Sequence, residues 1–307
     1  MADSGRLKPN TKYHIPNTEA KPLVVIVGET ASGKSALALE IASKFNGEII
    51  SADSWAVRQQ LNIGTAKPSK EELELVPHHL LNVVEPCANF TAVVYKRLAL
   101  AAIKDINNRG KLPIIAGGSG LYIDGVIFDF SFLNGGTPQL RDYLNNLTIV
   151  RLLRLTQERG FDLTGIDTRN KRRLIRLLET GGQRPTRQSL RANTLVLGLK
   201  IDRETLKQRI AKRVDSMIQK GLEKEVKQLS EAYGWECEGL KGIGYTEWRD
   251  YFEGKQNLQE TQAKIIKSTN DLAKRQRTYF KRNPFIQWVD NKAETVEILA
   301  EFLNKKT

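Results

Sequence analysis

The sequence predicts an α/β fold built on a parallel β-sheet, and three features indicate it. Leu23 to Val27 is a continuous apolar run rich in β-branched residues, as expected of a strand buried on both faces of such a sheet. A helical pattern from Lys34 to about Phe45 and a strand-like stretch from Glu48 to Asp53 follow it. The same alternation recurs with a helix around residues 91–108 and a strand from Leu112 to Ala116. Functional groups of such sheets collect at the carboxyl ends of the strands.

The character of the chain changes after about Ser131, where turn-rich residues precede Arg-rich amphipathic stretches. Residues 141–191 hold 12 Lys or Arg and five Asp or Glu, a net charge of +7. We therefore expect a basic helical insertion at 131–191. A strand-like run from Thr194 to Ile201 follows, and residues 203–282 have helical periodicity. The predicted division is a polar, flexible leader at 1–21, a core at 22–130 and 192–307, and the insertion between the two core segments.

Composition narrows the class of partner. The 307 residues include 48 Lys or Arg and 35 Asp or Glu, so the formal charge is +13, which favours a polyanion such as nucleic acid or an anionic membrane surface. No apolar run approaches the roughly 18 residues needed to span a bilayer, and no signal peptide is evident, so we expect a cytoplasmic protein without a membrane partner. Cys87 and Cys237 form no CxxC pair, and both are expected to be buried free thiols.

A phosphate-binding loop is the strongest motif. Gly28-Glu29-Thr30-Ala31-Ser32-Gly33-Lys34-Ser35 matches GxxxxGK[ST] between a predicted strand and a predicted helix. Its backbone N–H groups and the helix N-terminus favour phosphate oxygens, Lys34 adds a mobile positive charge, and the Ser35 hydroxyl is placed to hold Mg²⁺. The motif identifies a bound phosphate group but not the reaction, because kinases, nucleotide hydrolases and transferases all use it.

Asp53 ends the second predicted strand, beside the phosphate loop at the same edge of the sheet. A carboxylate there can orient or deprotonate a nucleophile. Asp53-Ser54 can equally start the next helix as a cap, and placement alone leaves both roles open. His78 and His79 are adjacent, so they point to opposite faces of any strand; we assign them a structural role rather than metal ligation.

A series of segments resembles the tRNA dimethylallyltransferase family, in the same order, over about residues 22–290. The segments are GETASGKSALALEIA, IISADS, NIGTAKPS, PHHLLNVVEP, LPIIAGGSGLYIDGV, RRLIRLLE, RVDSMIQKGLEKEV, GLKGIGYTEW and LAKRQRTYF. The resemblance implies a P-loop nucleotide-kinase-like core, a helical insertion that grips the anticodon arm, and a helical C-terminal part. It also implies a monomer that transfers a dimethylallyl group from dimethylallyl diphosphate to N6 of the adenine 3′ of the anticodon in tRNA.

The resemblance assigns roles to individual residues. Asp53, Lys34 and Arg213 would be catalytic, with Asp53 as general base, and Mg²⁺ would bind at Ser35. The diphosphate would be held by Gly28, Thr30, Ala31, Ser32, Gly33, Lys34, Ser35 and Arg213. Contacts to tRNA would come from Asp53, Ser54, Ser119, Arg141, Arg172, Arg173, Arg176, Lys241, Gly244, Tyr245, Lys274 and Arg275. For the basic residues the alternative is a solvated helix face, and the local charge favours RNA phosphates.

Several positions depart from the family pattern. Glu29 stands where the family usually has Pro, and its charge is expected to weaken diphosphate binding unless the side chain points away. Ala56 and Arg58 replace the usual Gln and Tyr, Ser119 replaces Thr, and the customary Arg and Tyr are missing from residues 269–272. We therefore expect altered contacts to the target base.

Two other functions use the same motifs. A P-loop small-molecule transferase or kinase, including an adenylate isopentenyltransferase, needs no insertion with a charge of +7. A nucleic-acid-binding regulator that uses phosphate binding as a switch would have no need for a carboxylate such as Asp53 at the catalytic edge of the sheet. The sequence therefore favours prenyl transfer to RNA.

Overall fold

Six parallel strands form one sheet at the centre of the molecule. The computed structural model describes residues 20–304; the leader predicted at 1–21 lies outside this range except for its last two residues. The spatial order of the strands is β3-β2-β4-β1-β5-β6. Their bounds are β1 Leu23–Val27, β2 Gly47–Ala52, β3 His78–His79, β4 Leu112–Gly117, β5 Thr194–Leu199 and β6 Ile286–Val289.

The sheet is buried on both faces, as the apolar run in β1 predicts. Leu23, Val25 and Val27 point into one hydrophobic cluster, and Val24 and Ile26 point into the cluster on the other face. Each of these side chains is at most 1% exposed. Burying them stabilises the fold by about 1.5–3 kcal/mol per side chain. The predicted α/β class is confirmed.

The described range contains twelve α-helices. They are α1 Lys34–Lys44, α2 Lys70–Leu75, α3 Ala92–Asn108, α4 Gly120–Ile127, α5 Pro138–Asn146, α6 Ile149–Glu158, α7 Lys171–Glu179, α8 Arg203–Gln219, α9 Leu222–Tyr233, α10 Arg249–Phe252, α11 Leu258–Phe280 and α12 Lys292–Asn304. Short 3₁₀ turns cover Glu238–Lys241 and Thr246–Trp248. Many of the helices begin with a side-chain cap that accepts a backbone N–H; α11 begins with a reciprocal capping box between Asn257 and Glu260.

The segment expected to be an insertion contains three of these helices, α5, α6 and α7. They pack around a hydrophobic cluster of their own, formed by Leu144, Leu152, Leu174 and Leu178 with their neighbours. An antiparallel bridge between Ser131 and Thr186 brings the two ends of the segment together. The basic residues of the segment are thus carried on a small helical unit with a separate core.

The two cysteines correct an expectation. Cys87 and Cys237 form a disulfide across 150 residues of sequence, with 4.7 Å between their Cα atoms, so the prediction of two free thiols is wrong. Neither cysteine has a close cysteine neighbour in the sequence, so spacing gave no signal for the pairing. A backbone hydrogen bond joins the same two segments of the chain next to the disulfide: the N–H of Gly239 donates to the carbonyl of Pro86 at 3.0 Å.

His79 belongs to a buried charge cluster at the edge of the sheet. The carboxylate of Glu48 is 1% exposed and contacts Arg109, Lys111 and the Nε2 atom of His79. The Arg109 hydrogen bonds, above all, hold the pKa of Glu48 well below its usual range. His78 bonds through Nδ1 with the carbonyl oxygen of Val76 at 2.8 Å. Both histidines therefore have contacts that position β3.

Within residues 20–304, no helix is both long and apolar enough to span a lipid bilayer.

Candidate active site

The phosphate-binding loop connects β1 to α1 with a backbone that needs glycine. Gly28 has φ 151° and Gly33 has φ 102°, and Ala31 adopts φ 61° between them. Gly33 is the N-cap of α1, so the first free N–H groups of this helix lie at the loop. These positions are the ones that the GxxxxGK[ST] pattern predicts for a phosphate cradle.

Lys34 lies inside the loop and carries a perturbed charge. Its Nζ atom donates to the carbonyl oxygen of Glu29 at 2.6 Å. Burial, with a smaller contribution from Arg213, lowers its pKa to about 8, against the opposing effect of Asp53. Because burial makes the charged form of Lys34 less stable in the free protein, a bound polyanion stabilises that charge strongly.

A cavity of about 350 Å³ opens over the loop and is lined by basic side chains of α8. Lys34 and Ser35 form one wall, and Arg209 and Arg213, one helical turn apart, form the other. Arg209 also donates to the carbonyl oxygen of Ser32 at 3.2 Å. Burial lowers the pKa of Arg213, and Asp53 opposes this shift. Sequence reasoning found Arg213 but missed Arg209, although the i, i+4 spacing of the two arginines was visible.

Asp53 lies where a second and larger cavity meets the phosphate loop. It lines a cavity of about 560 Å³, together with Thr30, Ser119 and Arg213. Its Oδ1 atom accepts from the N–H of Trp55 at 2.8 Å and of Ala56 at 3.2 Å. These bonds form a turn, and no helix begins at Asp53-Ser54, so the alternative that Asp53 caps the next helix is wrong. Within the described chain, its Oδ2 atom makes no hydrogen bond and remains available to a ligand.

Ser54 and Ser119 come together beside Asp53. The N–H of Ser54 donates to Oγ of Ser119 at 3.1 Å, which links the end of β2 to the loop after β4. Ser119 is the N-cap residue of α4, but its side chain makes no capping hydrogen bond to the helix. Both residues line the larger cavity, and their contact with RNA stays a prediction.

One wall of the larger cavity is apolar. Its apolar side chains come from the turn after β2, from α8 and α11, and from the loop before Tyr245; they are Trp55, Val214, Met217, Ile243, Ile265 and Leu272. Leu121 is also in the lining and is 49% exposed. A cavity with a polar end at the phosphate loop and an apolar wall suits a ligand that joins a charged group to a hydrocarbon group.

Helix α11 holds the phosphate loop through two consecutive side chains. Oε1 of Gln276 accepts from the N–H of Thr30 at 2.7 Å, and Nε2 of Gln276 donates to the carbonyl of Gly118 at 3.1 Å. Arg277 pairs with Glu29, Nη2 to Oε2 at 2.8 Å. The carboxylate of Glu29 therefore turns toward Arg277 instead of presenting an unpaired charge to the phosphate site. The motif AKRQ gave no indication of either contact.

A carboxylate of α9 holds together part of the rim of the larger cavity. Glu225 accepts from the N–H groups of Asn62, Ile63 and Gly64 and from the hydroxyl of Tyr245 at 2.7 Å. Tyr245 is 1% exposed, and burial raises its pKa. Tyr245 thus supports the rim from behind and does not line the cavity, contrary to its expected contact with RNA, whereas Lys241 and Gly244 do line it.

The basic residues expected to bind RNA divide into two groups. Arg141 and Arg176 both contact Glu179, and Arg176 also donates to the carbonyl of Leu133, so their guanidinium groups are engaged within the protein. The exposed group comprises Arg172, Arg173, Lys241, Lys274 and Arg275, of which Lys241 also pairs with Glu238 at 3.3 Å. On the helix face expected to present both arginines, Arg172 is therefore exposed, whereas Arg176 is half-buried and paired with Glu179.

Two departures from the family pattern are structural. Ala56 and Arg58 are 5% and 4% exposed, and Nη1 of Arg58 donates to the carbonyls of Pro86 and Ala88 at 2.8 and 2.6 Å. Arg58 therefore fixes the loop next to the disulfide. The guanidinium of Arg58 points into the protein and makes no contact of its own with the cavity, so altered contacts to the target base stay a prediction.

A phosphate loop and a carboxylate at one edge of a parallel sheet, next to a part-apolar cavity, define a P-loop α/β protein with a site for a phosphorylated ligand. The IPP transferase family matches residues 57–283, and the chain belongs to this family. The resemblance drawn from the sequence motifs is confirmed.

Relatives and solved structures agree with this assignment. The tRNA dimethylallyltransferase of Carboxydothermus hydrogenoformans is 40% identical over 300 residues, covering 92% of this chain and 96% of that protein. That of Bacillus subtilis is 35% identical, covering 89% and 92%. The full-length tRNA isopentenylpyrophosphate transferase of Bacillus halodurans superposes with a TM-score of 0.74 at 33% identity, covering 94% of this chain and 98% of the other. A eukaryotic dimethylallyltransferase acting on tRNA gives 0.71 at 27% identity, covering 88% and 74%.

Proposed function

We propose that this protein transfers a dimethylallyl group from dimethylallyl diphosphate to N6 of the adenine 3′ of the anticodon in tRNA, and releases diphosphate. One observation carries the proposal: Asp53 and Arg213 lie at the junction between the phosphate loop and a cavity large enough for a base and a five-carbon chain. The names of the relatives and their coverage of this chain support the same reaction.

The diphosphate belongs in the cradle at the start of α1. The first N–H groups of α1, the ammonium of Lys34 and the guanidinium groups of Arg209 and Arg213 converge on that space. When the allylic C–O bond breaks, negative charge grows on the departing diphosphate, and these positive groups stabilise it. Thr30 contributes less than expected, because its N–H already donates to Gln276.

The donor set at the cradle fits Mg²⁺. Ser35 is exposed at the first turn of α1, and it lines a cavity with Asp53 and Ser51, so a hydroxyl and a carboxylate face the same space. Mg²⁺ prefers oxygen ligands and usually keeps several waters and phosphate oxygens among them. A bound Mg²⁺ would neutralise charge on the diphosphate; Ser35 would hold it.

The acceptor and the hydrocarbon group meet at Asp53. The free Oδ2 atom of Asp53 would accept a hydrogen bond from N6 and take its proton as the new N–C bond forms. The apolar wall formed by Val214, Met217 and Leu272 would hold the dimethylallyl chain and exclude water from the developing positive carbon. Because adenine N6 is a weak nucleophile, alignment of these two groups matters as much as proton removal.

The exposed cations place the RNA. Lys241 and Arg275 border the cavity, and Arg172 and Arg173 lie on the insertion, so together they would contact phosphates on either side of the target base. The base would leave the loop stack to reach Asp53, as in other enzymes that modify bases of single-stranded RNA. A monomer stays a prediction.

Direct analysis of the product tests this function. Purified protein is incubated with dimethylallyl diphosphate, Mg²⁺ and unmodified tRNA, and the digested nucleosides are searched for N6-dimethylallyladenosine by mass spectrometry. We expect the product at the position 3′ of the anticodon, and none with AMP as acceptor. Modification of AMP and not tRNA would assign the chain to small-molecule prenyl transfer.

A further inference from the structure

Two neighbouring side chains of α11 hold two neighbouring residues of the phosphate loop. Gln276 bonds to the N–H of Thr30 at 2.7 Å, and Arg277 pairs with Glu29 through two nitrogens, one of them at 2.8 Å. Glu29 and Arg277 are separated by 248 residues of sequence. The loop is therefore fastened at its beginning to a helix that comes from the opposite end of the chain.

The Glu29–Arg277 pair is largely withdrawn from water. Glu29 is 8% exposed as a residue, and the Arg277 side chain is 20% exposed. A two-point Arg–carboxylate contact fixes orientation as well as distance. Each partner neutralises the other, so the pair adds little net charge to the phosphate site, and loss of one partner leaves a buried charge without compensation.

The carbonyl oxygen of Glu29 is used inside the loop. It accepts from Nζ of Lys34 at 2.6 Å and from the N–H of Ser32 at 3.2 Å. The side chain of the same residue is held by α11. The position of residue 29 therefore determines where Lys34 and the N–H groups that follow it lie, and Arg277 acts on this position through the carboxylate.

We propose that Glu29 and Arg277 are positioning residues for the diphosphate: their ion pair fixes the start of the phosphate loop so that Lys34 and the first N–H groups of α1 converge on the leaving group. The proposal rests on the proposed function, since it takes the diphosphate as the ligand of this loop. The charge of Glu29 was expected to weaken diphosphate binding. Under this proposal the paired carboxylate of Glu29 strengthens it instead.

Inorganic pyrophosphate with Mg²⁺ is the probe, and binding is measured by calorimetry on the full chain. Arg277→Met and Glu29→Gln should each weaken binding about tenfold or more, a change of about 1.4 kcal/mol. The double variant should lose less than the sum of the two, because neither buried charge is left alone. Lys281→Met is the matched control: it removes one positive charge a helical turn beyond Arg277, beside a separate cavity that Glu29 and Arg277 also line, and it should change binding less than about twofold.

Steady-state kinetics separate positioning from a general structural role. In the Arg277→Met variant, KM for dimethylallyl diphosphate should rise while KM for tRNA stays within about twofold, and Arg277→Lys should restore part of the loss. Unchanged pyrophosphate affinity in both single variants, with or without a lower melting temperature, would overturn the proposal. Tighter binding by Glu29→Gln would do the same, since it would make the carboxylate a simple electrostatic liability.

The parent protein is measured first. If the parent binds no pyrophosphate, the loop does not hold a diphosphate, and both the proposed function and the positioning role are overturned. If the parent binds pyrophosphate and the variants bind it equally well, the reaction stands and the positioning role is rejected.

Discussion

Asp53 has one oxygen committed to the turn at Trp55 and Ala56 and one oxygen free toward the cavity. Asp53→Asn keeps the size of the side chain but cannot take a proton from N6. We expect transfer to slow by about 10² or more, with tRNA affinity nearly unchanged, as for loss of a general base. Single-turnover rates and filter binding measure the two quantities. Equal rates for variant and parent would remove Asp53 from the chemistry.

Lys34 makes diphosphate binding sensitive to pH. Its pKa is about 8 in the free protein, and binding requires the charged form. As the pH rises above 8, the free protein loses this proton and must take one up on binding, so affinity should fall by up to about tenfold per pH unit.

The measurement compares the parent with Lys34→Arg by pyrophosphate calorimetry from pH 7 to 9. The arginine stays charged in this range, and titration of the ligand affects both proteins equally. The ratio of the two affinities should therefore change with pH. A constant ratio would contradict the lowered pKa of Lys34.

At the scale of single elements, α7 presents Arg172 and Arg173 to solvent, whereas Arg176 is engaged with Glu179. Arg172→Gln/Arg173→Gln should weaken tRNA binding and reduce the slope of log K against log salt by about 1–2, since each phosphate contact contributes about 0.9 to the slope for a duplex. The control is Lys44→Gln/Lys104→Gln, which removes two exposed charges from α1 and α3 of the core. Identical slopes for all three proteins would show that Arg172 and Arg173 do not contact RNA phosphates.

The sequence predicts the bounds of the four longest strands of the sheet to within two residues. β1, β2, β4 and β5 each contain a short, largely apolar stretch, and polar or turn residues follow it, so each reads as a strand of five or six residues. It does not predict β3, which has two residues, or β6, which has four, because such short stretches carry no measurable period.

The candidate site is predictable where a motif carries it. Lys34, Asp53, Ser54 and Ser119 lie together because the carboxyl ends of β1, β2 and β4 share one edge of the sheet. Contacts between distant side chains are not visible in a motif: Gln276 with Thr30, Arg277 with Glu29, and Tyr245 with Glu225 all depend on how α9 and α11 pack. Tyr245 in particular is a motif residue whose role is to support the rim.

For the whole molecule, the Cys87–Cys237 disulfide joins two segments 150 residues apart and restricts the unfolded chain. Reduction should lower the free energy of unfolding by about 2–4 kcal/mol. Urea unfolding with and without reductant measures this, and Cys87→Ala/Cys237→Ala should show no response to reductant. Two titratable thiols in denatured protein that was never reduced would restore the expectation of free cysteines.

In the proposed mechanism the phosphate loop and Asp53 act together on one donor and one acceptor. A crystal structure with a non-hydrolysable dimethylallyl diphosphate analogue, Mg²⁺ and an anticodon stem-loop tests it most directly. We expect the diphosphate at Lys34 and Arg213, and N6 of the target adenine within about 3.2 Å of the Asp53 carboxylate. An adenine bound away from Asp53, or a diphosphate outside the cradle of residues 28–35, would contradict the account.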